Sequence, residues 1–353
     1  MPTICHVNLA RGYRGGERQT ELLIRELADR GWNQRLIARA HQPLIERLFD
    51  VPRLERLPSN KPFLRRVWSC RNAIVHAHDA KAAKIGFAAS RLFAIPYIVT
   101  RRIGKQPSGN RVTRAVYREA DVLVGVAQSV AEVLRDYTQR DDVGVVPSAS
   151  SNLGTNHGEA RAIRKRWPAR CLVVNVAALV DSQKGQSHLI AVARRLSCER
   201  RDIHFLLLGE GRDRALFETQ AQDLTNVTIL GFVDNVGDYL AAADVFVLPS
   251  RHEGIGGTCL DAMEFGLPIV ASAVDGVPEI VTHGENGLLV PPGDEEALFH
   301  ALDRVCCDRT LAQQLGERGR HIARDYTARS MADRYSKLYR NLHEQTHVRK
   351  VVS

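Results

Sequence analysis

Short apolar runs alternate with longer amphipathic stretches along the first half of the chain. The run at 3–9 precedes a stretch with apolar residues at helical spacing, which Gly31 closes. Short apolar runs bounded by polar residues are typical of strands buried on both faces, and their alternation with helices is typical of parallel α/β sheets. The predicted strands of this half are TICHVNL (3–9), QRLIAR, AIVHAHD, PYIVT, DVLVGV and VGVVP.

The alternation stops in the middle of the chain and then restarts. The stretch PSASSNLGTNHG at 147–158 is rich in Ser, Asn and Gly and is predicted to be a linker. From about 294 onward the pattern is helical, and it ends in a helix at 327–345. We predict two doubly wound domains, with ligands at the carboxyl ends of the strands, in the cleft between the domains. The strands of the second domain are CLVVNVAAL (171–179), IHFLLLG, VTIL, DVFVLPS, PIVAS and NGLLVPP.

Composition supports a globular protein of two domains. A length of 353 residues exceeds what one core usually organises, and 44% apolar with 25% charged residues is ordinary. No apolar run is long enough to span a bilayer, and the N-terminus lacks the pattern of a signal peptide. Seven cysteines without a CxxC spacing predict reduced thiols in a cytoplasmic protein.

Positive charge is concentrated in the first half of the chain. The net charge of +9 divides into +11 for residues 1–150 and −2 for residues 151–353. This predicts a basic face for a lipid headgroup surface or an acidic substrate, the alternative being a solvated surface without a role. The segment 61–72 fits either a helix lying on an anionic membrane or an ordinary amphipathic helix packed on the sheet. Its cations are Lys61, Arg65, Arg66 and Arg71, and its apolar residues are Phe63, Leu64, Val67 and Trp68.

Glycines and cations follow several predicted strands. Gly15 and Gly16 precede a helix, whose first amides could bind an anion or simply need a cap. A second weak glycine signal is Gly209 and Gly211. Lys184 at a strand-to-helix turn could neutralise a phosphate, or be a solvated loop charge.

Polar residues also follow strands of the first half. An HxH pattern, His76 and His78, can indicate a metal, but no clear third ligand is evident and no metal site is predicted. Cations cluster on one carboxyl-end loop, which is hard to explain by packing. They are Arg101, Arg102 and Lys105.

The stretch SRHEGIGGTCLD (250–261) places an acid on each side of a glycine-rich turn. Glu253 lies in the loop, and Asp261 lies in a helix that should start at Gly256 or Gly257. Carboxylates accept hydrogen bonds from sugar hydroxyls, and the amides of a helix start suit phosphates. The arrangement therefore favours a sugar joined to phosphates.

The residues 253–294 resemble the signature of retaining glycosyltransferase family 4, which has the GT-B fold. The resemblance extends to LVDSQKG, LLLGEGRDRALFE, LGFVDNVGDYLAAADVFVLPS and RGGERQ, and so covers essentially the whole chain. It implies two facing Rossmann-like domains: 1–157 for the acceptor and 158–326 for a nucleotide sugar. A C-terminal helix at 327–353 is expected to return to the first domain.

The resemblance also implies roles for individual residues. Glu253 matches the first acid of the family's E-x7-E motif, and Asp261 matches the second, which holds the ribose and is usually Glu. The implied catalytic residues are Glu253, Lys184, Arg101 and Arg102. The implied donor-binding residues are Arg14, Gly15, Gly16, Lys184, Gly209, Gly211, Phe232, Val233, Glu253, Gly254, Ile255, Gly256, Gly257, Thr258 and Asp261. The expected acceptor-side residues are His76, His78, Asp79 and Lys105.

The chain departs from the family in its cations. Many relatives have Arg in place of Ala178, and often His in place of Arg101 and Arg102. Arg14, Arg101 or Arg102 is expected to supply the missing charge. No DxD-like motif is present, so the resemblance implies transfer without a metal or other cofactor.

The function expected from this resemblance is retaining sugar transfer by front-face attack, in which a donor phosphate oxygen takes the acceptor's proton. We expect a UDP-sugar donor, a glycan or lipid-linked acceptor in lipopolysaccharide or other cell-envelope polysaccharide synthesis, and peripheral contact with the inner face of the plasma membrane. The alternatives are a non-hydrolysing sugar-nucleotide epimerase and a basic nucleic-acid-binding protein. The latter is disfavoured, and no nucleic-acid partner is expected, because the aromatic residues (6%) are not interleaved with basic ones.

Overall fold

The computed structural model describes residues 1–60, 62–200 and 202–352, with side chains described up to residue 346. The chain forms two compact units: the first comprises residues 1–151 and the chain from Thr327 onward, and the second residues 152–326. The division falls earlier than the expected boundary after residue 157. The amide of Asn156 donates to Asp238 Oδ1 (2.6 Å), which binds the linker to the second unit.

The first unit is built on a parallel sheet of order β3-β2-β1-β4-β5-β6-β7. Its strands are β1 (Ile4–Asn8), β2 (Gln34–Ala38), β3 (Leu54–Pro58), β4 (Ile74–Ala77), β5 (Tyr97–Arg101), β6 (Val122–Gly125) and β7 (Val143–Val145). Its helices are α1 (Gly15–Asp29), α2 (Pro43–Arg47), α3 (Phe63–Ser69), α4 (Ala80–Phe93), α5 (Arg111–Arg118), α6 (Gln128–Thr138) and, from the chain's end, α15 (Ala328–Val352).

The C-terminal helix α15 packs on α1 of the first unit, as the family resemblance implied. Tyr335 and Tyr339 are one turn apart and fully buried, in a core that also holds Ile4 and Trp32. Tyr339 packs edge-on against Trp32, with the ring centroids 5.7 Å apart. The helix therefore completes one of the hydrophobic cores that cover the first sheet.

The second unit is built on a parallel sheet of order β10-β9-β8-β11-β12-β13. Its strands are β8 (Cys171–Val176), β9 (Ile203–Leu208), β10 (Val227–Gly231), β11 (Val245–Leu248), β12 (Ile269–Ser272) and β13 (Gly287–Val290). Its helices are α7 (His157–Arg166), α8 (Asp181–Lys184), α9 (Gln186–Glu199), α10 (Arg214–Ala221), α11 (Val236–Ala242), α12 (Gly257–Glu264), α13 (Glu295–Cys307), α14 (Arg309–Ala323) and a 3-10 turn (Val277–Glu279).

Strand order reverses once in each sheet. In the first sheet the reversal lies between β1 and β4, and in the second between β8 and β11. The connections that leave such a neighbouring pair run in opposite directions, which opens a crevice at the carboxyl ends of the two strands. We call these positions the first and second switch points.

The doubly wound α/β architecture predicted from the hydrophobic pattern is confirmed in both units. None of the helices within the described ranges combines the length and apolarity needed to cross a bilayer.

Candidate active site

The loop after β8 is fixed at the second switch point by one glycine. The short helix α8 ends at Gly185, which has φ = 64°. A Cβ on Gly185 would lie 2.2 Å from the carbonyl oxygen of Pro249, so no larger residue fits without moving the backbone. Gly185 thus sets Lys184 directly beside the loop that follows β11.

Backbone hydrogen bonds join the same two loops. The carbonyl oxygen of Gln183 accepts from the amides of Arg251 (2.9 Å) and His252 (3.1 Å). On the other side, Asp275 Oδ2 accepts from the Glu253 amide (2.6 Å). Sequence reasoning missed Gln183 and Asp275. An Asp-Gly turn signal at 275–276 was available for the second of them.

Lys184 and Glu253, predicted separately, form an ion pair. Lys184 Nζ donates to Glu253 Oε1, and Ser250 Oγ donates to the same oxygen at 2.7 Å. The side chains are 19% and 10% exposed, so the pair is accessible but largely shielded from water. Ser250 was not predicted, although it ends the quoted strand.

Helix α12 begins at Gly257, as predicted, with Gly256 as its N-cap at φ = 77°. A Cβ on Gly257 would meet no atom within 4 Å, so the helix start faces open space. Asp261 is in the second turn of the helix and is 8% exposed, while Ile255 is buried and offers only its backbone. The remaining predicted residues here, Gly254 and Thr258, are half-buried.

The glycines after β9 lie where two loops approach closely, and the amide of Gly209 is already paired. The Gly209 amide donates to the Gly231 carbonyl (2.8 Å) and is not available to a phosphate, which corrects that expectation. A Cβ on Gly209 or on Gly211 would lie 1.9 Å from Ala177 O or 2.1 Å from Leu179 O, respectively. Both glycines therefore allow two loops to approach closely.

Two of the expected donor-binding residues follow the edge strand β10. Phe232 is exposed and Val233 is half-buried.

At the first switch point, α1 begins at Gly15 with Arg14 as its N-cap. The amide of Arg14 donates to Glu17 Oε2 at 2.9 Å, and burial raises the pKa of the Glu17 carboxyl. A Cβ on Gly15 would meet nothing within 4 Å, and one on Gly16 would meet only Arg102 Cδ, at 3.7 Å. The start of this helix is therefore open and lies beside Arg102.

Arg101 and Arg102 point to opposite faces of the first sheet, as successive residues of an extended strand do. Arg101 donates to the carbonyl oxygen of Lys105 and, at 3.4 Å, to the Tyr117 hydroxyl, so it ties down its own loop. Arg102 Nη2 donates to His78 Nδ1 at 3.2 Å. Its Nε and Nη1 atoms are buried and have no hydrogen-bond partner among the described residues, and burial lowers the pKa of the guanidinium.

Two residues that were expected to contact the acceptor instead make hydrogen bonds within the first unit. Asp79 caps α4 by accepting from the amides of Lys81 (2.7 Å) and Ala82 (3.0 Å), and its other oxygen accepts from the Leu9 amide (2.5 Å). Both of its oxygens are therefore occupied by the protein itself. His76 is completely buried, so it cannot contact an acceptor. Lys105 is exposed, as an acceptor-side residue would have to be.

His6, His76 and His78 form a buried cluster whose candidate ligand atoms lie within 4.8 Å of one another. Each ring nitrogen already has a hydrogen-bond partner, and the Arg102 guanidinium adjoins the cluster. These features are typical of a hydrogen-bonded network, because a metal ion would displace the partners and be repelled by the guanidinium. Burial lowers the pKa of His6 to about 4 and those of His76 and His78 well below their usual value. The partners are His78 and Gln34 for His6, Tyr339 and Thr100 for His76, and His6 and Arg102 for His78.

Two family descriptions match consecutive parts of the chain: "Glycosyltransferase Family 4" over residues 13–149 and "Glycosyl transferases group 1" over residues 170–308. The lipopolysaccharide core biosynthesis glycosyltransferase LpsE of Rhizobium meliloti is 30% identical over 65% of this chain and 67% of its own length. LpsD of the same organism is 24% identical over 92% of this chain and 94% of its own.

Solved structures agree with the fold. HepE of Anabaena in complex with UDP-glucose has a TM-score of 0.85 at 18% identity, covering 96% of this chain and 99% of its own. WaaG, described as a glycosyltransferase involved in lipopolysaccharide biosynthesis, has a TM-score of 0.73 at 15% identity, covering 95% and 99%. The chain therefore belongs to glycosyltransferase family 4, is a glycosyltransferase, and has the GT-B fold.

Proposed function

We propose that the protein transfers a sugar, with retention, from a UDP-sugar to a glycan or lipid-linked acceptor of lipopolysaccharide or another cell-envelope polysaccharide. Similarity to LpsE and LpsD supports this class of acceptor, and the complexes of HepE with UDP and UDP-glucose support this class of donor.

The ion pair of Lys184 with Glu253, beside the open start of α12, carries the proposal. A diphosphate would draw Lys184 towards itself and face the amides of Gly257 and Thr258 at the start of α12, which would stabilise the charge that develops as the sugar leaves. Glu253 would then accept hydrogen bonds from sugar hydroxyls, with Ser250 still holding one of its oxygens. Asp261, one methylene shorter than the family's usual Glu, would reach the ribose through water.

The acceptor hydroxyl would attack from the side on which the diphosphate departs, with a phosphate oxygen taking its proton. The protein's contribution is then positioning and charge stabilisation by cations and amides. We therefore propose that no divalent metal is needed. EDTA should leave the turnover of the wild-type enzyme unchanged, and strict dependence on a divalent ion would contradict this mechanism.

A donor panel tests the proposed reaction. UDP-, GDP-, ADP- and CMP-sugars would be compared by thermal shift, and the products with a lipopolysaccharide-core acceptor identified by mass spectrometry. A UDP-sugar should stabilise the protein, and the acceptor should gain the mass of one sugar with retained configuration. Conversion of the sugar nucleotide without an acceptor would identify an epimerase, and salt-sensitive RNA binding without sugar-nucleotide binding would overturn the assignment.

We also propose peripheral contact with an anionic membrane, at the inner face of the plasma membrane, through α3 and the end of α4. These helices form an aromatic patch that a helix packed on the sheet would not expose: Phe63, Leu64, Trp68, Leu92 and Phe93. Leu64 is 68% and Trp68 59% exposed, and only Val67 of α3 is buried. Arg71 stacks on Trp68 at 4.0 Å, which places a cation beside the patch. Lys61, predicted to contribute, lies outside the described residues.

Vesicle sedimentation tests this contact. The protein should sediment with anionic but not neutral vesicles, and high salt should release it, because each basic residue near an anionic surface contributes about 1 kcal/mol. Replacing Arg65, Arg66 and Arg71 by Glu should abolish sedimentation. The matched control makes the same charge change on exposed residues of the second unit: Arg304, Arg309 and Arg318. Equal loss in both variants would show that net charge, and not this patch, is responsible.

A further inference from the structure

Alternate residues of three neighbouring strands face α1 and α15, and on each strand an apolar residue is followed by polar ones. These residues are Ile4, His6 and Asn8 on β1; Ile74, His76 and His78 at β4; and Ile98, Thr100 and Arg102 at β5. His6 lies opposite His76, whereas His76 lies opposite Ile98, so β5 is offset by one such pair. Together the buried polar residues form one layer on this face of the sheet. Because buried polar groups cost free energy when unpaired, hydrogen bonds in the polar layer must be complete.

A series of hydrogen bonds links Gln34 to Arg102, and the donor and acceptor in each are determined by the bond that Gln34 makes at its other end. Gln34 Nε2 donates to the carbonyl oxygen of Ile24 (3.0 Å), which leaves Gln34 Oε1 to accept from His6 Nε2 (3.1 Å). A neutral His6 must then accept at Nδ1, from His78 Nε2 (3.0 Å). His78, protonated at Nε2, accepts at Nδ1 from Arg102 (3.2 Å). One arrangement of protons therefore satisfies every hydrogen bond from Gln34 to Arg102.

This series of hydrogen bonds holds Arg102 through a neutral partner, while the buried Glu17 carboxylate interacts with the guanidinium through space. Imidazole nitrogen fixes the guanidinium by a hydrogen bond, whereas a carboxylate would also cancel its charge. The Nε and Nη1 atoms of Arg102 remain buried and unpartnered, and its side chain passes Gly16 at the open start of α1. The cation and the helix amides therefore adjoin one another with no protein acid bonded to those two nitrogens.

We propose that Gln34, His6 and His78 are positioning residues, which orient Arg102 to bind a diphosphate-bearing ligand at the start of α1. This proposal rests on the proposed function, because the sugar nucleotide supplies the diphosphate. The histidines act through Arg102 and do not themselves contact the ligand.

Two substitutions of His78 test the roles of its two ring nitrogens separately, because each keeps one of the two hydrogen-bonding groups in place. The oxygen of Asn can replace the acceptor Nδ1, whereas the amide of Gln can replace the donor Nε2. We expect His78→Gln, which loses the acceptor for Arg102, to weaken binding of inorganic pyrophosphate and UDP on the order of tenfold. We expect His78→Asn, which keeps this acceptor, to retain most of the affinity, because hydrogen bonds to charged groups are stronger than those between neutral groups. Isothermal titration calorimetry gives both affinities. Equal affinities for the two variants would overturn the proposal.

A mutant cycle tests the more remote member. Gln34→Leu should weaken pyrophosphate binding in the wild-type background and have no further effect in an Arg102→Met background, because its effect passes through Arg102. If Gln34→Leu does not fold, the His78 pair alone decides. Additive losses in the cycle would show a structural effect and overturn the positioning role.

The control lies in the same buried layer. His76→Gln changes a histidine bonded to Thr100 and Tyr339 and outside the chain to Arg102. It should lower the stability of the first unit and leave pyrophosphate affinity unchanged. If wild type binds neither UDP nor pyrophosphate, the proposed function fails. If wild type binds UDP and Arg102→Met binds it equally well, only the proposal for Arg102 fails.

Discussion

The two units each place a cation at a switch point, but they hold it in opposite ways. Lys184 in the second unit is paired with Glu253, in loops that remain partly exposed. Arg102 in the first unit is held by the neutral His78, and two of its nitrogens lack a partner among the described residues. A ligand anion must compete with a bonded carboxylate for Lys184, whereas Arg102 is bonded to a neutral imidazole and the Glu17 carboxylate acts on it only through space.

This difference assigns different work to the two positions. In the proposed function, Lys184 would bind phosphate and Glu253 would accept hydrogen bonds from sugar hydroxyls, so that binding at one would alter the other. The arginine in the first unit offers charge in a fixed geometry. We therefore expect substitutions in the second unit to affect the chemical step most, and those in the first unit to affect binding of the diphosphate.

The largest effect is expected for Glu253→Gln. Loss of the carboxylate proposed to hold the donor sugar should lower kcat on the order of a hundredfold, because the proposed contacts would strengthen in the transition state. Initial-rate kinetics with the donor found by the panel measure the change. The exposed Glu285→Gln serves as the control. Turnover near that of wild type would remove Glu253 from the site.

The same substitution sharpens the comparison in a second way. Without Glu253, Lys184 is no longer neutralised, so pyrophosphate should bind about threefold more tightly even as turnover falls. Lys184→Met should weaken UDP binding on the order of tenfold and Arg102→Met should do so at least equally. Isothermal titration calorimetry on the three variants measures these affinities. Weaker pyrophosphate binding by Glu253→Gln would show that Glu253 does not neutralise Lys184.

Acid should destabilise the first unit, which holds three fully buried histidines, more than the second, where burial also lowers the pKa of the half-buried His204. The pKa of His6 is about 4 when folded, so the unfolded chain takes up a proton as the pH falls below about 6.5 that the folded unit excludes. The stabilisation is therefore complete above pH 6.5 and is lost towards pH 4, amounting to about 2 kcal/mol from His6 at pH 5, at roughly 1.4 kcal/mol per pH unit. Hydrogen exchange of β1 and β4 amides at pH 7.5 and 5 measures it.

His76→Gln should flatten this pH dependence, because burial lowers the pKa of His76 in the same direction. The exposed His157 at the start of α7 provides the matched substitution, which should change nothing in the first unit. Equal protection at the two pH values in wild type would show that the histidines are accessible to protons.

The smallest effect is expected for Arg101→Gln. Arg101 bonds its own loop and stacks near Tyr117, and substitutions away from ligand contacts change free energies by roughly 0.5 kcal/mol, or about twofold in affinity. UDP affinity and kcat measured beside Arg102→Met test the contrast between adjacent arginines. A loss as large as that of Arg102→Met would mean that both cations serve the ligand.

Local patterns predicted the elements and the start of α12, because strand periodicity and glycine at a helix start are properties of adjacent residues. They also selected Glu253 and Lys184, but not their contact, since the pairing depends on how the loop at Gly185 packs against Pro249. A contact between residues that are distant in sequence produces no recognisable pattern in either segment.

The errors have two physical sources. Asp79 directly precedes a predicted helix, which is the signal of an N-cap, and its polarity was assigned to the acceptor instead. His76 was misassigned for a different reason: its cover, Tyr339, comes from the other end of the chain. A polar residue at a strand end indicates a ligand site only when nothing distant in sequence returns to bury it.

That return of α15 also bears on the order in which the protein is made. The ribosome releases residues 1–151 long before Tyr335 and Tyr339, whose hydroxyls complete the buried polar layer of the first sheet. Chains usually fold from the N-terminus as they emerge. Here the second unit is continuous in sequence and can fold first, whereas the core of the first unit is incomplete until α15 has been synthesised. We expect a chain truncated after Tyr326 and released from the ribosome to protect the second unit from proteases but not the first.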